Sequence, residues 1–445
     1  MADLVVEKGN DYLVKRIRIA KERIFLVSYM LTSLNVIEAL HERAKAGCKV
    51  SVLTLPSDMI SGKDRTAVWQ RVRSYHEELA AYGSLKYADL EIGEPAMSQS
   101  SQSDIREGES IGRKWYALHA KFLVVDDVVI MTTANCGHEI KGSNGDRKVE
   151  DDCLWQIHWS KQDSDLALEY IQNYEILSNA LQHDSGQSIF RQVEADSRWS
   201  SLVKRGVSSY RLTDYPTELL GKRSFANRRK SEMIIFPLMA TARHYLTDLI
   251  RSAKRQISIC VANITDDDIL ELILRIVLHN PAIKVRLLSG PTQGIRDANL
   301  KAKLNTRFLP VLTSLPNVEW RELEELHAKL WITEEAAAIG SVNANKMSLG
   351  FNNRKTTWRS SVEALQVCSM EQEIDEIASA FEVLWSKGVP VSAFAEIDWL
   401  AKAVSGSNVP KVLLSQIRKE ISILRQEYWI AVARSIIEKM HDSRS

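Results

Sequence analysis

The sequence has little with which to build a disulfide framework or a zinc site. Its five cysteines, Cys48, Cys136, Cys153, Cys260 and Cys368, are odd in number, scattered and never spaced as C-x-x-C. They suit reduced thiols in a cytosol. Long apolar runs are missing too: no stretch approaches the length that spans a bilayer. The opening segment, MADLVVEKGNDYLVKRIRIAKERI, is charged throughout and has no signal-peptide core, so a cytoplasmic protein is expected. Charge of one sign is not in excess either. Lysine and arginine total 58 against 57 acidic residues, a formal net charge of +1, which is silent about polyanionic partners because local patches outweigh the sum. What remains is an ordinary globular composition, 45% hydrophobic and 26% charged, over 445 residues. That length exceeds one ordinary core and points to two domains.

The chain repeats itself. YLVKRIRIAKERI (Tyr12–Ile24) and YLTDLIRSAKRQI (Tyr245–Ile257) share Tyr, Leu, Ile, Arg, Ala, Lys and Ile in register, with apolar positions at helical spacing. Each leads into an apolar β-prone run, then an amphipathic helix, then another apolar strand (KVSVLTL and KVRLLSG). Alternating helix and strand is an α/β pattern, and identical residues in register are more than shared patterning produces; the chain reads as a tandem duplication. The expected division is 1–195, a basic linker at 196–232, a second copy at 233–390 and a C-terminal helical extension at 391–445. The first copy carries an extra polar, Ser-rich stretch at Ala96–Lys114, read as an exposed loop. The linker region Arg198–Lys230 holds nine Lys/Arg against two acidic residues, with Trp199, Tyr210, Tyr215 and Phe225 interleaved. That mixture suits single-stranded nucleic acid and equally suits a solvated linker. In the extension, Leu413, Leu414, Ile417, Ile421, Leu424, Tyr428, Val432 and Ile436 form one helical stripe. The stripe packs on its own body or, in the sharper reading, makes a homodimer contact.

Each copy also contains the tetrapeptide LHAK, at Leu118–Lys121 and Leu326–Lys329. Counting from His119 and His327, lysine follows at +2 (Lys121, Lys329), an acid at +7 (Asp126, Glu334), a hydroxyl at +14 (Thr133, Ser341) and asparagine at +16 (Asn135, Asn343). On an extended strand, residues two apart share a face, so His and Lys project together. Such a set fits phosphoryl transfer. A neutral imidazole can attack phosphorus to give a phosphohistidine, and a second, protonated imidazole can supply the leaving oxygen's proton and then deprotonate water. The lysines, with the amide and hydroxyl donors, would hold charge as it develops on the five-coordinate phosphorus. These side chains already carry the positive charge, so neither a metal nor another cofactor is called for. One histidine per copy makes half a site, which is the reason for two.

The H-x-K-x4-D pattern followed by G-S-x-N resembles the phospholipase D superfamily, whose members place two such motifs in one site. The resemblance covers roughly residues 1–390. It implies two tandem α/β/α domains with mixed, largely parallel sheets related by a pseudo-two-fold axis. GSVN is intact in the second copy, although Glu334 replaces the family's Asp, an acid that mainly supports the fold. The first copy keeps Asp126 but reads TTAN: Thr133 preserves the hydroxyl, while Thr132 in place of Gly narrows the room beside the phosphate. The family also uses an acid downstream of each motif to orient the opposite histidine. Glu363 takes that place in the second copy and Asp152 in the first, with Glu150 and Asp151 close by. By the same resemblance His119 is the nucleophile and His327 the general acid/base, roles that the residues themselves leave open.

The superfamily acts mainly on phospholipids or on nucleic acids. The polar loop before His119, the basic-studded stretches KGSNGDRK and NNRKTTWR, and the basic aromatic linker favour a nuclease acting on DNA or RNA. The alternatives are a phospholipase D or cardiolipin-synthase-like phosphatidyltransferase, which would dock on membrane lipid, and a weakened phosphate-binding module, motivated by TTAN.

Overall fold

The computed structural model describes residues 2–55, 67–88, 118–137, 154–181, 232–236, 242–292, 308–349 and 361–391, with short pieces at 295, 304, 351–353 and 357–359. The Ser-rich stretch, Asp152, the basic segment Arg198–Lys230 and the C-terminal stripe lie outside them.

Two mixed sheets form the frame. The first comprises β1 (Ala2–Lys8), β2 (Arg23–Val27), β3 (Lys49–Thr54), β4 (Ser84–Tyr87), β5 (Phe122–Val125), β6 (Val128–Thr132) and β7 (Trp155–Gln162), in the order β1-β7-β6-β5-β2-β3-β4. The second contains β8 (Glu232–Phe236), β9 (Gln256–Val261), β10 (Lys284–Ser289), β11 (Val318–Glu322), β12 (Leu330–Thr333) and β13 (Ala337–Gly340). After a separate hairpin of β14 (Phe351–Asn353) and β15 (Thr357–Arg359), it is completed by β16 (Glu363–Cys368) and β17 (Val389–Pro390), in the order β17-β11-β10-β9-β12-β13-β16-β8. Helices α1 (Asp11–Arg18), α2 (Leu34–Lys45), α3 (Ala67–Tyr82) and α4 (Ser164–Leu181) belong to the first half. Helices α5 (Ala242–Ser252), α6 (Asp267–His279), α7 (Leu309–Ser314), α8 (Lys346–Leu349) and α9 (Glu371–Trp385) belong to the second.

The sheets are mixed, but their balance is antiparallel rather than largely parallel. Parallel ladders occur where a helix crosses between strands, β2 with β3 with β4 and β9 with β10 with β11. The other pairings are antiparallel because short links join the motif strands. Asp126 and Asp127 alone connect β5 to β6, with Asp126 at φ +53, a conformation that Asp tolerates better than most side chains.

Alternation along each strand feeds two cores. Phe25, Val27, Phe122 and Val124 face the other half, while Ile24, Leu26, Leu123 and Val125 pack outward under α1 and α2. The second sheet repeats this, with Leu330, Ile332 and Ile339 facing inward and Trp331 and Ala338 outward under α5 and α6. One core is therefore shared between the sheets, and α4 and α9 contribute Tyr170, Leu177, Ile377 and Phe381 to it. Polar ties cross the same seam: Tyr170 donates to Gln366 Oε1 at 2.8 Å, and Lys161 pairs with Glu373 at 3.0 Å. Cys48, Cys136, Cys260 and Cys368 are buried and unbridged, as reduced thiols would be. No helix among the described residues is long and apolar enough to cross a membrane.

Candidate active site

Both LHAK segments lie at the seam, and each is stitched to the opposite half. The His119 amide donates to the Val362 carbonyl at 2.8 Å, and the His327 amide donates to the Trp155 carbonyl at 2.9 Å. Isolated bridges Leu118–Val362 and Trp155–Leu326 repeat the relation with the halves exchanged. This is a local two-fold arrangement, and it brings the two histidines close enough for His119 to act on His327 electrostatically. Lys121 and Lys329 are wholly buried, and each ammonium donates to the carbonyl of its own motif's histidine, at 2.7 and 2.6 Å. Asn135 and Asn343 are buried beside them. The Asn135 amide lies 3.4 Å from His327 Nε2, so the first motif's asparagine reaches the second motif's histidine.

The acids at +7 stand apart from this cluster and do matching structural work. The Asp126 carboxylate accepts the amides of Lys21, Glu22 and Arg23 at 2.9, 2.8 and 3.0 Å, capping the start of β2. Those bonds outweigh partial burial and hold Asp126 below the usual carboxylate range. Glu334 accepts the amides of Lys254, Arg255 and Gln256 at the start of β9. The longer side chain performs the same cap, which accounts for the Asp-to-Glu exchange between the copies. The hydroxyls at +14 are likewise matched: Thr133 accepts the Ile157 amide at 3.0 Å and Ser341 the Ala364 amide at 2.9 Å, tying each motif to β7 or β16.

The two histidines differ in their partners. His119 Nδ1 lies 2.9 and 3.0 Å from the two oxygens of Glu363, which is fully buried and also takes the Ser341 hydroxyl. Burial pushes Glu363 up, but His119, Lys121 and Ser341 together bring it below its ordinary value. Burial lowers His119, and Glu363 only partly restores it. Among the described residues His327 meets no carboxylate. Burial, then Lys329, Lys121 and His119, lower it well below the ordinary imidazole value, with the Thr133 carbonyl acting weakly the other way.

Strand register shows what replaces Glu363 in the first half. Ile157 and Ala364 make equivalent bonds to Thr133 and Ser341, so Gln156 occupies the place of Glu363, buried at the start of β7. Asp152 lies outside the described residues. Sequence reasoning passed over Gln156 because it searched for an acid. Yet Gln156 follows His119 at within one residue of the spacing that separates Glu363 from His327. Tyr29 was also passed over. Its ring stands edge-on to His119 with centroids 5.5 Å apart, and Lys121 Nζ lies 5.9 Å from its centre. By the registers of β2 on β3 and β9 on β10, the corresponding residue in the other half is Ala262.

Thr132, in place of the Gly of G-S-x-N, does not crowd a phosphate as expected. Its hydroxyl bonds His158 Nδ1 at 2.8 Å and accepts the Ala134 amide at 2.9 Å, within the fold. His158 Nε2 in turn lies 3.2 Å from Glu7. At the matching Gly340, a Cβ would stand 2.1 Å from the Ala364 carbonyl oxygen, so glycine there serves close strand approach.

These features, two H-x-K motifs from duplicated halves around one buried pocket, define a superfamily. The family described as cardiolipin synthase, PLD-like domain, matches residues 13–150 and 246–385. The chain belongs to the phospholipase D superfamily, whose chemistry is directed at phosphodiesters. Among solved structures it is similar to the phosphatidylserine synthase of Haemophilus influenzae Rd KW20, with a TM-score of 0.53 and 10% identity over 97% of this chain and 95% of that one. It is also similar to the polyphosphate kinase of Porphyromonas gingivalis (TM-score 0.49, 13% identity), covering 92% of this chain and only 56% of the kinase. Nuc from Salmonella typhimurium, a phospholipase D family member, matches 36% of this chain and 97% of its own at 16% identity and a TM-score of 0.28. No curated protein matches the sequence.

Proposed function

We propose that the chain is a metal-independent phosphodiesterase that works through a phosphohistidine, and that its substrate is a nucleic acid. The contact of Glu363 with His119 across the seam carries this reading, because it suits the two histidines to different roles. A carboxylate on Nδ1 keeps that nitrogen protonated and leaves the Nε2 lone pair for attack. As the P–N bond forms, positive charge on the His119 ring is met by Glu363, while the P–O bond to the leaving group breaks. His327 gives the leaving oxygen its proton. In the second step it takes a proton from water, whose oxygen attacks phosphorus as the P–N bond breaks. Burial, then Lys329, Lys121 and His119, lower His327 well below the ordinary imidazole value, and the negative charge of a bound phosphodiester would favour its protonation. Lys121 and Lys329 supply the fixed positive charge for the five-coordinate phosphorus.

Support for nucleic acid over lipid comes from the rim. Tyr29 puts an aromatic ring beside His119, where a sugar or base attached to the phosphate would lie. The basic aromatic segment Arg198–Lys230 adds to this from the sequence. The lipid reading rests on the family's description as a cardiolipin synthase, PLD-like domain. The deciding assay offers single-stranded DNA, duplex DNA, RNA and cardiolipin or phosphatidylcholine vesicles to the purified protein in EDTA. We expect cleavage of nucleic acid that His119→Ala reduces by on the order of 10³-fold or more. Head-group release instead would establish the lipid reading, and binding without turnover would leave a phosphate-binding module.

A further inference from the structure

The places where the halves break their own symmetry at the pocket are where a particular substrate would be read. One such place is unused by the chemistry above. Trp155 and Val362 are counterparts, each bridging to the opposite motif's leucine, but Val362 is buried and Trp155 is partly exposed. Trp155 rests on the shared core and still stays partly exposed. Two lysines stand over its ring: Lys8 Nζ lies 5.2 Å and Lys387 Nζ 4.8 Å from the ring centre. Lys8 comes from the first half and Lys387 from the second, so the cluster straddles the seam.

Strand direction puts this cluster at the catalytic end of the molecule. β7 starts at Trp155, next to Gln156 in the pocket, and runs away from it, while β1 returns antiparallel and ends on Lys8 opposite Trp155. The residues around it already hold the motif: the Trp155 amide donates to the Glu325 carbonyl at 2.7 Å, and its carbonyl takes the His327 amide. Glu325 neutralises Lys8 at 2.5 Å, whereas among the described residues no carboxylate pairs with Lys387. The cluster thus has a partly exposed aromatic ring, an ammonium that among the described residues meets no carboxylate, and a position on the side of His327, the proposed proton donor to the leaving oxygen.

We infer that Trp155, Lys8 and Lys387 form a platform that binds the departing strand of a single-stranded nucleic acid, a base on the indole and a phosphate at Lys387. The inference rests on the nuclease reading. Lysine-over-indole contacts at an exposed site are weak, so an incoming base displaces an ammonium from the ring and the ammonium follows the neighbouring phosphate.

The test compares two substrates. One is a single-stranded oligonucleotide, long enough to lie across the platform; the other is bis(p-nitrophenyl) phosphate, whose leaving group is one small ring. We expect Lys387→Gln to raise KM for the oligonucleotide severalfold. It should also flatten the dependence of log binding on log salt by about 0.7, the share of one phosphate contact on a single strand. Hydrolysis of bis(p-nitrophenyl) phosphate should stay as it was. Trp155→Leu should raise the oligonucleotide KM by about tenfold, the loss of one stacked base, and more than it affects the small diester. The platform is overturned if Lys387→Gln leaves the oligonucleotide KM and salt slope unchanged, or if Trp155→Leu depresses both substrates alike. A wild-type protein that hydrolyses the small diester but leaves the oligonucleotide intact would instead remove the nuclease reading, and the platform with it.

Discussion

Glu363 reaches His119, whereas among the described residues no carboxylate reaches His327, and the place that corresponds to Glu363 holds Gln156. Both histidines lie below the ordinary imidazole value through burial, His327 well below it. The proposed mechanism needs His119 deprotonated and His327 protonated. Because His327 lies below His119, the rate rises with pH through the His327 value and falls through the His119 value. With both depressed in the free protein, kcat/KM should peak on the acid side of about 6.5, the unperturbed imidazole value. Gln156→Glu would put a carboxylate on His327 in the way Glu363 sits on His119, raising its pKa. The rising limb should then move to higher pH by roughly one unit, and the maximum of kcat/KM should increase. Comparing kcat/KM profiles of the two proteins checks this. A rising limb and a maximum that both stay in place would mean that residue 156 does not govern His327.

The strands and helices repeat what the residues do, and here the sequence was partly legible. Identical residues in register at Tyr12–Ile24 and Tyr245–Ile257 announced the duplication, and the offsets from each histidine gave the pocket's lysines and asparagines because one strand and one hairpin set them. The antiparallel balance of the sheets was not legible: it follows from links as short as Asp126–Asp127, which apolar patterning does not weigh. Nor was the role of Gln156, since its place depends on the register of β7 against β6, a long-range pairing. The glycine of the second motif was read for its room near phosphate, whereas its constraint is strand approach. Gly340→Ala would drive its Cβ into the Ala364 carbonyl, forcing β13 and β16 apart next to Ser341 and Glu363. We expect a loss of about 1–3 kcal/mol from overpacking and a fall in kcat of tenfold or more as Glu363 shifts from His119. Chemical denaturation and steady-state rates measure the two effects. Thr132→Gly, at the matching place, has no such clash and should retain more activity.

For the whole molecule, burying the pocket in a core shared by both halves links function to acid sensitivity. His119, His327 and His76 are all held below the ordinary imidazole value with burial as the largest cause; His76 lies within the first half, 2.8 Å from the Leu31 carbonyl. Unfolded, each takes up a proton near pH 6.5, whereas folded, each resists it, so below that pH the unfolded state binds more protons and stability falls with pH. Asp248 and Asp268, both raised by burial, oppose this. Burial raises the Asp248 pKa to about 6, so the folded protein binds that proton first and gains stability as pH drops from about 6 towards 4. Glu7, Asp126 and Glu363 are lowered, and their contributions are lost only below the ordinary carboxylate range. Between pH 7.5 and 5.5 the three histidines therefore outnumber the two aspartates. Each unit of depression is worth about 1.4 kcal/mol, and a chain this long loses roughly 2 °C or less of Tm per kcal/mol. We expect Tm to fall by at least ~2 °C between these two pH values in buffers of matched ionic strength. His327→Asn should shrink that fall, because it removes the most depressed of the three while keeping a polar side chain of similar size. If Tm holds steady or climbs on acidification, the buried histidines are not kept neutral by the fold, and the acid-side activity peak argued from the same depression loses its basis.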